Sequence, residues 1–214
     1  MTTRAGYRVA LALALAIAAH AAAASTPDAA YAPIPATTFA SVIEGEPGAA
    51  PIEVPAYALR TQPVTNAEFL AFVTAHPQWR RDRVPEVFAE ARYLSHWQAA
   101  DALGPAALPG QPVTQVSWFA AQAYCESEGA RLPNWIEWER AAAASTEVDD
   151  ARSDPAWRRQ LLDWYSRPST GVLAQVGGSP NLYGVRDLHG LVWEWIDDHA
   201  AMMAAMEELP AVEP

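Results

Sequence analysis

Cysteine is almost missing from this 214-residue chain: Cys125 stands alone, so no disulfide forms within the chain and no pair of thiols is available from it. Lysine is missing altogether, and all 14 basic residues are Arg, a bias we read as coding composition rather than function. Basic charge is scarce against 25 Asp and Glu, for a formal net charge of −11. That balance argues against nucleic acid and against anionic membrane surfaces as partners. Long apolar runs are missing as well. The run over residues 9–19 falls far short of the roughly 20 residues that a spanning helix needs.

That short run has the flanks of a secretory leader instead. Arg4 and Arg8 precede it and small residues follow from Ala21 to Ser25, with cleavage expected after Ala21 or Ala24. A membrane anchor is the competing reading, which the shortness of the run disfavours. The chain is therefore expected to be periplasmic or secreted, with no membrane anchor after cleavage. Loss of two arginines and no carboxylate takes the formal charge from −11 to −13. About 190 residues remain, enough for one domain with a real core. Without disulfides, stability must come from packing, and the nine Trp show with what.

The expected organisation is a signal peptide over 1–24, a flexible linker over 25–51, a folded domain over 52–198 and a tail over 199–214. The linker reading rests on Ala, Pro, Thr and Gly without period. Residues 52–59 alternate imperfectly and predict a short strand entering a turn at Thr61-Gln62-Pro63. Thr65 and Glu68 have capping-box spacing and start a helix whose Phe69, Leu70, Phe72 and Val73 form a core stripe, ended at Pro77. Residues 78–109 read as a long irregular connection, with His96 solvent-facing or hydrogen-bonded. Residues 112–116 form a strand candidate, and Ser117 caps a helix that places Trp118, Ala121 and Cys125 on one face and stops at Gly129.

Cys125 falls near the C-terminal end of that helix beside Glu126 and Glu128, where a thiolate is disfavoured, so it reads as a packed thiol. Asn134 and Glu137 repeat the capping-box spacing and launch a helix into the alanine run ending at Ala144. Glu137 and Glu139 diverge by about 200° around that helix, which excludes a shared acid–base site and leaves capping and salt-bridging. An acidic loop over 145–154 leads to an amphipathic helix over 155–165 carrying Trp157, Leu161 and Trp164. Residues 166–180 make a long excursion.

The most informative run is Asn181-Leu182-Tyr183-Gly184-Val185-Arg186-Asp187-Leu188-His189-Gly190-Leu191-Val192-Trp193-Glu194-Trp195. Together with Pro63-Val64-Thr65-Asn66-Ala67-Glu68-Phe69, Ala123-Tyr124-Cys125, Arg131-Leu132-Pro133 and Glu137-Trp138-Glu139, taken in order, it resembles the sulfatase-modifying-factor family, which includes the formylglycine-generating enzymes. The resemblance implies an α+β fold related to C-type lectins, with much irregular structure. Enzymes of the family oxidise a sulfatase cysteine to formylglycine with oxygen and a copper ion held by two cysteines. Cys125 matches the family's structural helix cysteine, so neither a copper nor a catalytic residue is assigned here. The family's closing Arg-Gly-Gly-Ser and Gly-Phe-Arg type motifs are also missing, which reads as C-terminal truncation.

The resemblance further implies calcium on the Asp187 side chain, the Gly190 and Val192 carbonyls and the Glu194 side chain. Calcium takes several hard oxygens, and two carboxylates seven residues apart around a Gly-permitted turn can converge on one ion. The alternative has Asp187 fixing its own turn and Glu194 paired with an Arg, and His189 is a loop residue in either case. Leu191 stands where the enzymes carry Asn, and the family's other calcium loop has no recognised counterpart. The Leu-His-Gly-Leu-Val-Trp-Glu-Trp wording is similar to an exported branch associated with nitrite and nitrous oxide reduction. The leading expectation is a non-catalytic protein-binding or maturation factor with a protein partner. Its alternatives are a truncated formylglycine-generating-type oxidase and a lectin-like binding module. A strand over 193–196 is expected to leave an apolar edge through which the chain self-associates. Met202, Met203 and Met206 in the tail read as a helix continuation rather than a soft-metal site.

Overall fold

The computed structural model describes residues 30–42, 50–167 and 173–198. The leader over 1–24 and the methionine-bearing tail over 199–214 lie outside the described residues. Strands β1 (Tyr31–Ile34), β2 (Thr37–Phe39), β3 (Ile52–Val54) and β4 (Tyr57–Arg60) come first, followed by helices α1 (Asn66–Ala75), α2 (Trp118–Ser127), α3 (Trp135–Ala142) and α4 (Pro155–Tyr165). β1 pairs antiparallel with β4, Tyr31 opposite Arg60, and β2 with β3, Thr37 opposite Val54. Two small sheets, four helices and long irregular connections make the expected α+β fold.

The linker expected over 25–51 is corrected here, because regular structure begins at Tyr31. Ala32, Ile34 and Phe39 are buried in two strands so short that no alternation stands out among the prolines. Pro33 is tolerated because each strand of a two-stranded sheet has one unpaired edge. Residues 52–59 split into β3 and β4 rather than forming one strand. The candidate strand over 112–116 is reduced to one bridge, Thr65 to Pro112, beside the 2.8 Å bond from Val113 N to Val64 O. No strand forms over 193–196, so the expected apolar strand edge is absent from the described residues. What stands exposed there is indole, with Trp193 79% accessible.

The helix starts follow their caps. Thr65 Oγ1 accepts from Glu68 N at 3.2 Å and Glu68 Oε2 accepts from Thr65 N at 2.7 Å. The Asn134 side chain accepts from Glu137 N at 2.9 Å, and Glu137 Oε2 accepts from Asn134 N at 3.0 Å. Ser117 caps α2, Gly129 leaves it at φ 70°, and Asp154 caps α4 with Pro155 in its first turn. α1 buries Phe69, Phe72 and Val73 against Tyr124 of α2, with the Phe69 and Tyr124 rings stacked at 5.8 Å.

The irregular connection over 78–109 completes this core with Tyr93, Leu94, Trp97 and Ala107. Asn66 ties it down. Its side chain donates to Leu108 O at 3.1 Å and accepts from Trp97 Nε1 at 3.0 Å. Gln111 O and Pro109 O take the Asn66 and Ala67 N–H groups, which a helix start otherwise leaves unpaired. Asn66→Ala strands the buried Trp97 N–H and takes a donor from Leu108 O, and we expect a loss of about 2 kcal/mol, read as a lower urea midpoint at unchanged m-value.

Candidate cation site and the cavity behind it

The informative run is held by turns rather than by strands. Asn181 Oδ1 accepts from Tyr183 N and Val185 N at 3.0 and 3.1 Å while its Nδ2 donates to Ala141 O at 2.9 Å. Gly184 follows at φ 85°, a conformation the tight turn requires and glycine adopts without cost. Val185 and Leu188 are thereby buried with Ala32, Ile34, Ala141 and Ala142. Asp187 lies between them in the left-handed region at φ 61°.

The Asp187 carboxylate accepts from Gly177 N at 2.7 Å and Gly178 N at 3.1 Å, so it clamps a loop ten residues upstream rather than its own turn. A side chain at position 178 would collide with that carboxylate. Glu194 Oε2 accepts from Trp138 Nε1 at 2.7 Å, a donor in place of the alternative Arg partner. Burial pushes the Glu194 carboxyl up to about 7; the Trp138 N–H opposes that shift and the charge of Asp187 adds to it. Among the described residues, neither the Gly190 nor the Val192 carbonyl accepts a hydrogen bond. Two carboxylates, with Asp187 held by the Gly177 and Gly178 N–H groups, and two carbonyls that accept no hydrogen bond are the oxygen types a hard divalent cation takes.

His189 is spent elsewhere. Its Nε2 lies 2.9 Å from Ala142 O, the rings of Trp138 and Trp157 meet it edge-on, and burial lowers its pKa. Beyond Glu194 the chain is docked by indoles and by the start of α3. Trp195 Nε1 donates to Val116 O and Trp118 Nε1 to Ile196 O, each at 2.8 Å, while the Asp198 carboxylate accepts from Trp135 N at 2.9 Å.

Behind this segment lies a cavity of about 170 Å³, with Leu59, Phe69, Val116, Tyr124, Trp138 and Trp195 in its wall. Ala121 and Cys125 of α2 line it too, so that face of α2 turns to the cavity while Ala120 and Tyr124 pack into the core. Burial, with Glu128 close by, pushes the Cys125 thiol up to about 11, so it is protonated at neutral pH; it is half-buried in the cavity wall rather than packed in the core. Arg60 forms part of the wall and bonds to both oxygens of Glu128 and to Glu68. Glu128 also accepts from Tyr31 and Tyr124 at 2.7 and 2.8 Å.

Comparison with known proteins follows the same stretch. Residues 21–211 match the sulfatase-modifying factor enzyme 1-like domain. The chain belongs to that family. A hercynine oxygenase of Mycolicibacterium smegmatis is 29% identical, over 72% of this chain and 40% of that protein. The corresponding protein of Mycolicibacterium thermoresistibile is 30% identical, over 72% and 38%. A formylglycine-generating enzyme of Mycobacterium tuberculosis is 38% identical, over 40% of this chain and 33% of that enzyme. The chain thus spans about two fifths of the length of the hercynine oxygenases it matches. The likeness to hercynine oxygenases was not legible in the motifs, which pointed to the family as a whole.

Sequence reasoning named Trp138 within a motif but gave it no role in this sulfatase-modifying-factor-like domain, and gave none to Arg60. The signal for Trp138 was present: an indole between two acids on so short a helix cannot share their surroundings. A carboxyl raised above its unfolded value makes the fold lose stability as pH rises from the unfolded value toward about 7. In chelator, Glu194→Gln should therefore flatten the pH dependence between pH 5 and 8 and raise stability at pH 8 by about 2 kcal/mol, checked by denaturation at both pH values.

Proposed function

We propose that this chain is an exported, calcium-supported domain of the sulfatase-modifying-factor family that binds another protein or assists its maturation without itself oxidising cysteine. The observation that carries this reading is Cys125: it is the only thiol in the sequence, it is half-buried in the cavity wall with Glu128 close by, and its pKa is pushed up rather than down. A soft copper site needs two thiolates, which one protonated thiol does not supply. Export is supported by the Arg-flanked apolar run ahead of Ala21. No helix among the described residues is long and apolar enough to cross a membrane. A periplasmic copper enzyme that reduces nitrite or nitrous oxide is the partner class favoured by the Leu-His-Gly-Leu-Val-Trp-Glu-Trp wording.

Asp187, Glu194 and the carbonyls of Gly190 and Val192 would hold the calcium. The ion would supply the positive charge that two interacting carboxylates otherwise lack. Calcium titration by calorimetry should then show one site per chain that Asp187→Asn weakens at least about tenfold, with a calcium-dependent rise in melting temperature that the variant loses.

A second reading, a formylglycine-generating-type oxidase, draws on the printed name of the Mycobacterium tuberculosis relative and on the third of that enzyme that this sequence spans. One assay separates the two. Incubated with oxygen, copper and a sulfatase peptide bearing its cysteine, the purified chain should leave the peptide mass unchanged; conversion to the formylglycine mass favours the oxidase.

A further inference from the structure

We infer that the outer face of α4, together with Trp193, is a docking surface for an acidic amphipathic helix of another protein. The inference rests on the protein-binding reading above and names where such a partner is held.

Spacing divides α4 into two stripes. Trp157, Leu161 and Trp164 fall on one side, where Trp157 meets His189 edge-on at 5.8 Å and Trp164 meets the Trp193 ring at 6.0 Å. Arg158, Leu162 and Tyr165 fall within about 60° of one another on the neighbouring side. That second stripe is uncovered. No residue of α4 is fully buried, and Leu162 and Tyr165 are 69% and 44% exposed. Trp193, 79% exposed, packs on Tyr165 at 5.4 Å and extends the stripe with a second ring. Exposed Leu, Tyr and Trp in contact, edged by arginine, make the composition of an interface centre rather than of ordinary surface. Two turns of α4, about 10 Å, separate Arg158 from Tyr165, and a facing helix repeats its side chains at the same interval.

Charge selects the partner. The chain has a formal net charge of −11, yet residues 155–167 carry three arginines against one aspartate, and that aspartate, Asp163, is paired with Arg167. Among the described residues, the Arg158 and Arg159 side chains make no hydrogen bond or ion pair, so two positive charges stand uncommitted beside the apolar stripe. Carboxylates on a partner helix would meet both arginines while its apolar side chains cover Leu162, Tyr165 and Trp193. The acidic remainder of this chain repels the same partner, which confines it to this face. A second copy is poorly matched, because two such faces bring four uncommitted arginines to one interface.

A fluorescein-labelled peptide of about four helical turns, with Leu on one face and Glu beside it, tests this against the same peptide with Lys for Glu, each titrated with the full chain and followed by anisotropy. The Glu peptide should bind saturably, one per chain, at least about tenfold more tightly than the Lys peptide, and more weakly as salt rises. Arg158→Glu with Arg159→Glu should reverse that preference. Leu162→Ser or Trp193→Ala should each weaken the Glu peptide about tenfold while far-UV circular dichroism stays native. Arg83→Glu with Arg92→Glu, an equal change of net charge at exposed arginines outside α4, should leave the preference intact. Equal binding of the two peptides, or a preference that the Arg83 and Arg92 changes shift as far as the Arg158 and Arg159 changes do, would overturn the assignment. So would sedimentation of the chain with phosphatidylglycerol vesicles in place of peptide binding, or a dimer that Leu162→Ser dissolves. Each of these leaves the protein-binding reading standing; that reading fails instead on conversion of the sulfatase peptide to the formylglycine mass.

Discussion

Three charges buried within four residues of α3 govern this fold. Glu137, Glu139 and Arg140 are 7%, 6% and 3% exposed, on a helix of eight residues. Each must be answered, because a buried charge that loses its partner costs about 3–5 kcal/mol. Successive positions point in different directions around a helix, so the answers come from different parts of the chain. Glu137 takes two bonds from Arg131, at 2.7 and 2.6 Å. Glu139 collects Ser41 Oγ at 2.6 Å, Val42 N at 2.8 Å and Arg152 at 3.3 Å. Arg140 donates to Asp149 O at 2.7 Å and lies over the Tyr183 ring. One short helix thereby gathers the N-terminal strands, the acidic loop and the 183–194 run around itself.

The same helix explains why Glu194 differs from the other acids. Glu137 and Glu128 are desolvated too, yet arginine partners and further hydrogen bonds outweigh burial and lower both pKa values. Glu194 meets Trp138 instead, a neutral donor. Trp138 supplies one hydrogen bond and no positive charge, so desolvation wins and the carboxyl rises. Geometry imposes this choice, because Trp138 sits between two acids whose cations lie on other sides of the helix. A cation at the Asp187–Glu194 pair would reverse the balance.

What was legible in the sequence was what is decided locally. Both capping boxes, the Ser117 cap, the stop at Gly129, the core stripe of α1 and the whole of α4 depend on neighbours within about four residues. The strands at Tyr31 and Thr37 were missed because three or four residues carry too little alternation. They become strands only when β3 and β4 arrive to pair with them. The reverse error fell on Trp193-Glu194-Trp195, whose alternation reads as a strand. There the Trp195 and Glu194 side chains find partners on other elements, at Val116 O and Trp138 Nε1, and the backbone forms no ladder. Of the candidate site, the four residues were nameable from the motif, but the clamp of Asp187 on Gly177 and Gly178 was not. No rule of spacing predicts which distant loop a carboxylate will hold.

Helix α2 shows where packing in this domain is incomplete. Sequence spacing placed Trp118, Ala121 and Cys125 on one apolar face, and the core is instead built by Ala120 and Tyr124. α2 therefore has apolar residues on two sides, of which only Ala120 and Tyr124 are fully buried. One side finds α1, and the other finds small side chains at Ala121 and Cys125 with space in front of them. Larger residues at either position would have closed that space at little local cost, since neither carries a cap, a turn or an ion pair. Small residues on the cavity side of a helix already packed on its other side leave room that the rest of the described chain does not use.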